Sequence, residues 1–187
     1  PATHPWFESN DVQVIVSVGR LERQKSFPVL LGAVARLAET RNIRLVILGE
    51  GSEREALETE ARELGLHDRV DLPGFVDNPY SFMRAADLFV LSSAWEGFGN
   101  VLVEAMACGT PVVSTACPSG PAEILERGRW GRLVPVGDSD ALATAMAATL
   151  DEDAHPDVVA RANDFSVDTA VDKYLDVMLP VGNGTTA

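Results

Sequence analysis

Between residues 12 and 18 the chain sets Val12, Val14, Ile15, Val16 and Val18 with little polar alternation, the pattern of a strand covered on both faces. Apolar residues then recur at helical spacing from Phe27 to Leu37, which predicts a helix over 27–37. The pair returns as a strand over 44–48 and a charged helix over 52–64, where Ser52 and Glu55 have the spacing of a capping box. Further apolar runs predict strands over 69–72, 87–91, 111–114 and 132–134, with helices over 79–85, 99–107, 121–126 and 139–150.

Strand and helix alternating through residues 12–152 require right-handed crossovers and a parallel sheet of about six strands with helices on both faces. The predicted fold class is therefore α/β, a Rossmann-like three-layer α/β/α domain, with ligands at the carboxyl ends of the strands. Residues 153–179 read as two helices meeting at Phe165-Ser166. In the second, Val167, Val171, Tyr174, Leu175 and Met178 form one apolar stripe, expected to pack on the same domain. Residues 180–187, with two glycines and two threonines, read as a frayed tail.

The composition suits this picture. Of 187 residues 46% are hydrophobic, enough for a core, and no apolar run approaches the roughly 18 residues of a membrane helix. The net charge of −13 is uneven: residues 135–187 hold 10 acids against 2 bases, and residues 1–134 hold 18 against 13. Nucleic acid is excluded as a partner on that balance, although cations and helix N-termini can bind a phosphorylated ligand locally. Cys108 and Cys117 have neither metal-ligand nor disulfide-framework spacing, and His4, His67 and His155 lie far from them; no metal site and a reducing compartment are expected. The sequence opens Pro1-Ala2-Thr3-His4 without a signal-peptide pattern, which reads as an excised piece of a longer protein.

Candidate chemistry lies in the strand-to-helix loops. Residues 19–26, Gly-Arg-Leu-Glu-Arg-Gln-Lys-Ser, miss the P-loop pattern because Gln24 replaces its second glycine. That leaves a phosphate-hydrolysing enzyme as a weak alternative. The dinucleotide fingerprint also fails, with Gly19 alone in the first loop and an isolated Gly49-Glu50-Gly51 in the second. Two cations, Arg20 and Lys25, remain where a phosphate would meet the sheet edge. Lys25 is one of only two lysines, against 13 arginines, and a compact point charge suits a phosphate.

The second loop carries Glu96 and Glu104, eight positions apart, around Gly97, Phe98, Gly99, Asn100 and Val101. Residues 98–101 would offer unpaired N–H groups at a helix start, between two carboxylates. Such a site fits a sugar nucleotide: N–H groups and cations for the diphosphate, carboxylates for ribose and hexose hydroxyls. Two carboxylates also serve glycosidases, but a glycosidase needs neither the cation loop nor the helix N-terminus. Trp95, beside the turn, is expected to be core filler.

The stretch Glu96 to Glu104 resembles the E-x7-E signature of the group 1 (family four) glycosyltransferases, retaining enzymes of the GT-B type built from two Rossmann-like domains. Gly19-Arg20-Leu21 with Lys25, Gly49-Glu50-Gly51, Pro73-Gly74-Phe75-Val76 and Pro118-Ser119-Gly120-Pro121-Ala122-Glu123-Ile124 stand in the family's order, and the resemblance covers residues 12–150. It implies the C-terminal, donor-binding half of a transferase, with residues 1–11 a linker from an N-terminal domain and residues 153–179 packing on this domain or crossing towards the other half. It further implies that Arg20 and Lys25 neutralise the donor diphosphate in place of a metal ion. By the same resemblance Glu96 binds hydroxyls of the transferred sugar, residues 97–101 with Gly19 give backbone contacts, Glu104 binds the ribose diol, and Phe75 and Val76 line the base pocket. Glu123 is either a helix-start carboxylate or a site-shaping one.

The implied partners are a nucleotide-diphosphate sugar, UDP-linked by family preference, and a glycan or lipid-linked acceptor held by the other domain. No cofactor or metal is required. A cytoplasmic parent is implied, with peripheral association at the inner face of the membrane. The chain alone should bind nucleotide without turnover. Two rivals stay open: a nucleotide-sugar epimerase of the same architecture, and a noncatalytic nucleotide-sugar-binding module.

Overall fold

A computed structural model of the chain describes residues 4–9 and 11–178. Six strands alternate with helices: β1 Gln13–Val18, α1 Phe27–Ala38, β2 Ile43–Leu48, α2 Arg54–Glu63, β3 Val70–Gly74, α3 Pro79–Ala85, β4 Leu88–Leu91, α4 Asn100–Ala107, β5 Val112–Thr115, α5 Pro121–Ile124, β6 Arg132–Val134 and α6 Ser139–Leu150. Helices α7 Val158–Asn163 and α8 Val167–Met178 follow. All strand pairs are parallel, in the order β3-β2-β1-β4-β5-β6. This is the expected α/β Rossmann-like architecture.

The strand side chains alternate between two cores. Ile15, Leu45, Ile47, Val90 and Val113 face α1, α2 and α6 and pack with Leu30, Val34, Leu57, Leu142 and Met146. Val14, Val16, Val46, Phe89 and Leu91 face the opposite layer, with Met83, Leu102, Met106 and Val158. Full burial of each such side chain contributes about 1.5–3 kcal/mol, so strands apolar on both faces are held in register from both sides. From central β1 the chain first builds outward through β2 and β3, then returns to lay β4 on the other side. The loops after β1 and β4 therefore diverge and leave a crevice at the carboxyl edge.

Four local readings differ from the structure. Helix α2 begins at Arg54 with Glu53 at its N-cap, and no side chain caps it. Ser52 instead bonds Glu22: its N–H donates to Oε1 at 3.3 Å and its hydroxyl to Oε2 at 3.0 Å, so a carboxylate 30 residues away takes the capping serine. Helix α5 ends at Ile124, before Arg127 turns left-handed (φ 57). Residues 5–8, expected within a linker, form a 3₁₀ turn whose Trp6 and Phe7 pack against the α3 side of the core, pinned by His4 Nε2 at 2.9 Å from Asp71 Oδ2. Helix α7 docks through buried Val158 and Ala162, whereas α8 leaves Val167, Val171, Tyr174, Leu175 and Met178 exposed, so its stripe does not pack on the domain. The expected frayed tail, 180–187, lies outside the described residues.

Candidate functional site

Close approach of three strand-end loops builds the carboxyl edge. Gly19 N–H donates to the Leu48 carbonyl at 3.0 Å, Leu21 N–H to Glu50 at 2.9 Å, and Gly49 N–H to Gly74 at 2.9 Å. Gly49 has φ +142, and a Cβ there would sit 2.0 Å from the Gly19 carbonyl oxygen; only glycine lets the β1 and β2 loops meet. The role of Gly49 is thus to shape the cation loop.

The loop after β1 is tied to the loop after β4. Ala94 N–H donates to the Gln24 carbonyl at 2.8 Å, Gln24 Nε2 to the Trp95 carbonyl at 3.0 Å, and Ser92 Oγ to the Lys25 carbonyl at 2.8 Å. Between the loops lies a crevice of about 450 Å³ lined by Val18, Gly19, Arg20, Gln24, Lys25, Glu96, Phe98, Gly99, Asn100, Val101 and Glu104. The sequence motifs point to all of these except Val18 and Gln24. Its floor is an ion pair: Lys25 Nζ lies 2.6 Å from Glu96 Oε1, with side chains only 14% and 8% exposed. Ser93 Oγ donates to the same oxygen at 2.6 Å. Arg20, at the rim, is exposed and has no carboxylate partner among the described residues.

Helix α4 enters the crevice by its N-terminus. Gly99, its N-cap, is left-handed (φ 93), and no side chain caps the helix. The first N–H groups of a helix lack internal acceptors and carry the positive end of its dipole; here they face the crevice beside Lys25. Glu104, a turn further along, lines the same space.

A second cavity of about 380 Å³ adjoins the first and shares Val18, Gly19 and Arg20 with it. Phe75, Val76, Leu48 and Pro79 give it apolar walls, and Phe75 is 77% exposed. Glu50 stands at its edge, its carboxyl held below the usual range by hydrogen bonds from Arg54. A flat apolar group in this cavity and an anion in the crevice would meet across Arg20.

Gly97 is exposed and does not line either cavity. Trp95, expected in the core, is 52% exposed, because the turn that seats Glu96 and Phe98 inward faces it out. Glu123 is exposed and outside both cavities. Sequence reasoning missed the long-range braces: Gln24, the Pro118 carbonyl that accepts the Glu96 N–H at 3.4 Å, and Thr115, whose hydroxyl donates to the Ser93 carbonyl at 2.6 Å. Cys117 is buried behind the site, and burial first, with the Glu96 charge adding to it, pushes its thiol up. No cluster of three or more metal-ligating side chains occurs among the described residues.

A family model described as glycosyl transferases group 1 matches residues 4–164. The chain belongs to that family. Among curated relatives of this group 1 domain, the lipopolysaccharide core biosynthesis glycosyltransferase LpsE of Rhizobium meliloti is 37% identical over 90% of the chain and 50% of the relative. A Campylobacter jejuni N-acetylgalactosaminyltransferase acting on a diphospho-undecaprenol substrate is 39% identical over 74% of the chain and 38% of the relative. Among solved structures, Anabaena HepE in complex with UDP and glucose superposes with a TM-score of 0.81 at 28% identity, covering 90% of the chain and 48% of HepE. The chain spans between 38% and 50% of the length of these relatives, as one domain of a two-domain GT-B protein does.

Proposed function

We propose that this domain binds the sugar-nucleotide donor of a retaining glycosyltransferase and that the donor is a UDP-sugar. One observation carries the reading: a crevice holding Arg20, Lys25, Glu96, Glu104 and the α4 N-terminus opens directly into an apolar cavity at Phe75 and Val76. A nucleotide sugar has the same sequence of chemistries, base, ribose diol, diphosphate and hexose. HepE, similar over 90% of the chain, was solved with UDP and glucose, which supports the choice of donor.

In this reading the base lies against Phe75 and Val76, and Glu104 accepts from the ribose hydroxyls. Arg20, Lys25 and the α4 N–H groups surround the diphosphate. These fixed positive groups stabilise charge as it builds on the departing diphosphate, the task a metal ion would otherwise perform. Glu96 accepts from hexose hydroxyls and orients the anomeric carbon. The acceptor, a glycan or lipid-linked sugar, is held by the other domain of the parent, which works at the inner face of the membrane with retention of configuration. The domain alone then binds nucleotide without turnover.

Calorimetric titration with UDP, GDP and ADP, with and without a chelator, tests the reading. Preferential, chelator-insensitive binding of UDP is expected. Binding that requires a divalent cation overturns the metal-free reading, and no binding of any diphosphate at millimolar concentration overturns the donor-binding reading of this chain. The anomeric configuration of the product formed by the full-length parent, read by NMR, tests retention.

A further inference from the structure

Glu96 is held twice through a single oxygen. Lys25 Nζ and Ser93 Oγ both donate to Oε1 at 2.6 Å, and Oε2 has no hydrogen-bond partner among the described residues. The two donors differ in freedom. Lys25 ends a flexible stem that lines the crevice. Ser93 is fully buried, and its carbonyl is fixed by the hydroxyl of Thr115, itself fully buried in β5. A diphosphate in the crevice would compete for Lys25, and an ammonium drawn to it would leave without its cation a carboxylate only 8% exposed. A nearly buried carboxylate left without a partner turns towards water or follows the cation. Only the serine donor stays.

We infer that Ser93 is the positioning residue that keeps Glu96 turned towards the sugar while Lys25 transfers to the diphosphate, so that the ion pair of the empty site is one half of an exchange. The inference rests on the donor-binding reading above. Ser93 supplies the hydrogen bond that replaces nothing and moves nowhere, leaving Oε2 open to a hexose hydroxyl. Removing the carboxylate charge frees Lys25 beforehand, so a nucleoside diphosphate without a sugar binds Glu96→Gln more tightly than wild type.

The test is titration of wild type, Ser93→Ala, Glu96→Gln and the double variant with UDP, GDP, UDP-glucose, UDP-galactose and GDP-mannose. The readout is the affinity of the tightest sugar nucleotide divided by that of its parent diphosphate. Ser93→Ala should lower this ratio about tenfold, the scale of one hydrogen bond to a charged group. Glu96→Gln should lower the ratio and tighten the diphosphate, and the double variant should fall no further than Glu96→Gln, since both act through one carboxylate. An unchanged ratio in Ser93→Ala, or losses that add in the double variant, overturns the inference while leaving donor binding standing. A wild type that binds no diphosphate removes both. Where Ser93→Ala does not fold, Ser93→Cys keeps the volume with a weaker donor and should give a smaller fall; no fall overturns the inference.

Discussion

A Cβ built on Gly120 would lie 1.6 Å from the carbonyl oxygen of Phe98. The loop before α5 therefore presses, backbone on backbone, against the turn that carries Glu96 and starts α4. Gly120 also has φ +88, a conformation unfavourable to any residue with a Cβ. Gly120→Ala should push the two loops apart, lower stability by about 1–3 kcal/mol and weaken UDP binding together with it. Thermal unfolding and calorimetry on the same sample read both effects; wild-type stability with intact UDP binding would contradict the close packing.

Glu104→Ala should cost about 1–3 kcal/mol of nucleotide affinity, the usual cost of losing a charged hydrogen-bond partner. Because the assigned partner is the ribose diol, a 2′,3′-dideoxy nucleoside diphosphate should bind wild type and variant alike. A variant that also loses the dideoxy ligand would place Glu104 elsewhere.

Lys25→Ala is expected to weaken UDP far more than uridine. Calorimetric comparison of the two ligands gives the answer, and equal losses would mean that the ammonium does not leave Glu96 for phosphate.

Asp151, at the end of α6, lies 2.5 Å from Arg41 beyond α1, and the guanidinium's hydrogen bond holds its carboxyl below the usual range. The group is depressed in the folded chain, so its stabilisation is present above the unfolded value, about 3.9, and disappears as pH falls through the lower folded value. The Tm difference between wild type and Asp151→Asn should thus be largest near neutrality and shrink below about pH 4. A difference independent of pH would exclude the ion pair as its source.

None of the large apolar residues of α8 described with their side chains is buried. A chain ending after Ser166 should therefore unfold at nearly the temperature of the intact chain. Differential scanning calorimetry would detect the several-degree loss expected of a helix that contributes to the core.

The inner strands β1, β2 and β4 were legible because they are almost continuously apolar and covered on both faces, and α1 and α6 because twelve residues are enough to show a helical period. The meeting of the two loops was legible for a topological reason: a parallel sheet sends the loops after β1 and β4 to one edge, which brings Lys25 and Glu96 together although 71 positions separate them. What escaped reading depends on partners that leave no local mark. Ser52 has the capping spacing yet bonds Glu22, and Gln24 reads as a lost glycine until its amide is seen on the Trp95 carbonyl. Trp95 and the α8 stripe read as core because hydrophobicity alone does not tell a residue facing inward from one at a rim.

The outer strands of the sheet bear on how the molecule behaves at high concentration. An open sheet offers unpaired backbone at each border, where a second chain can dock a strand and begin a fibre. Here one border is β3, in which Pro73 has no N–H to give and Asp71 is engaged by His4; the other is β6, only three residues long, with Arg132 bound to Glu152. Neither offers a long, flat template, so the aliphatic strands between them are screened at both borders from pairing with the backbone of another chain.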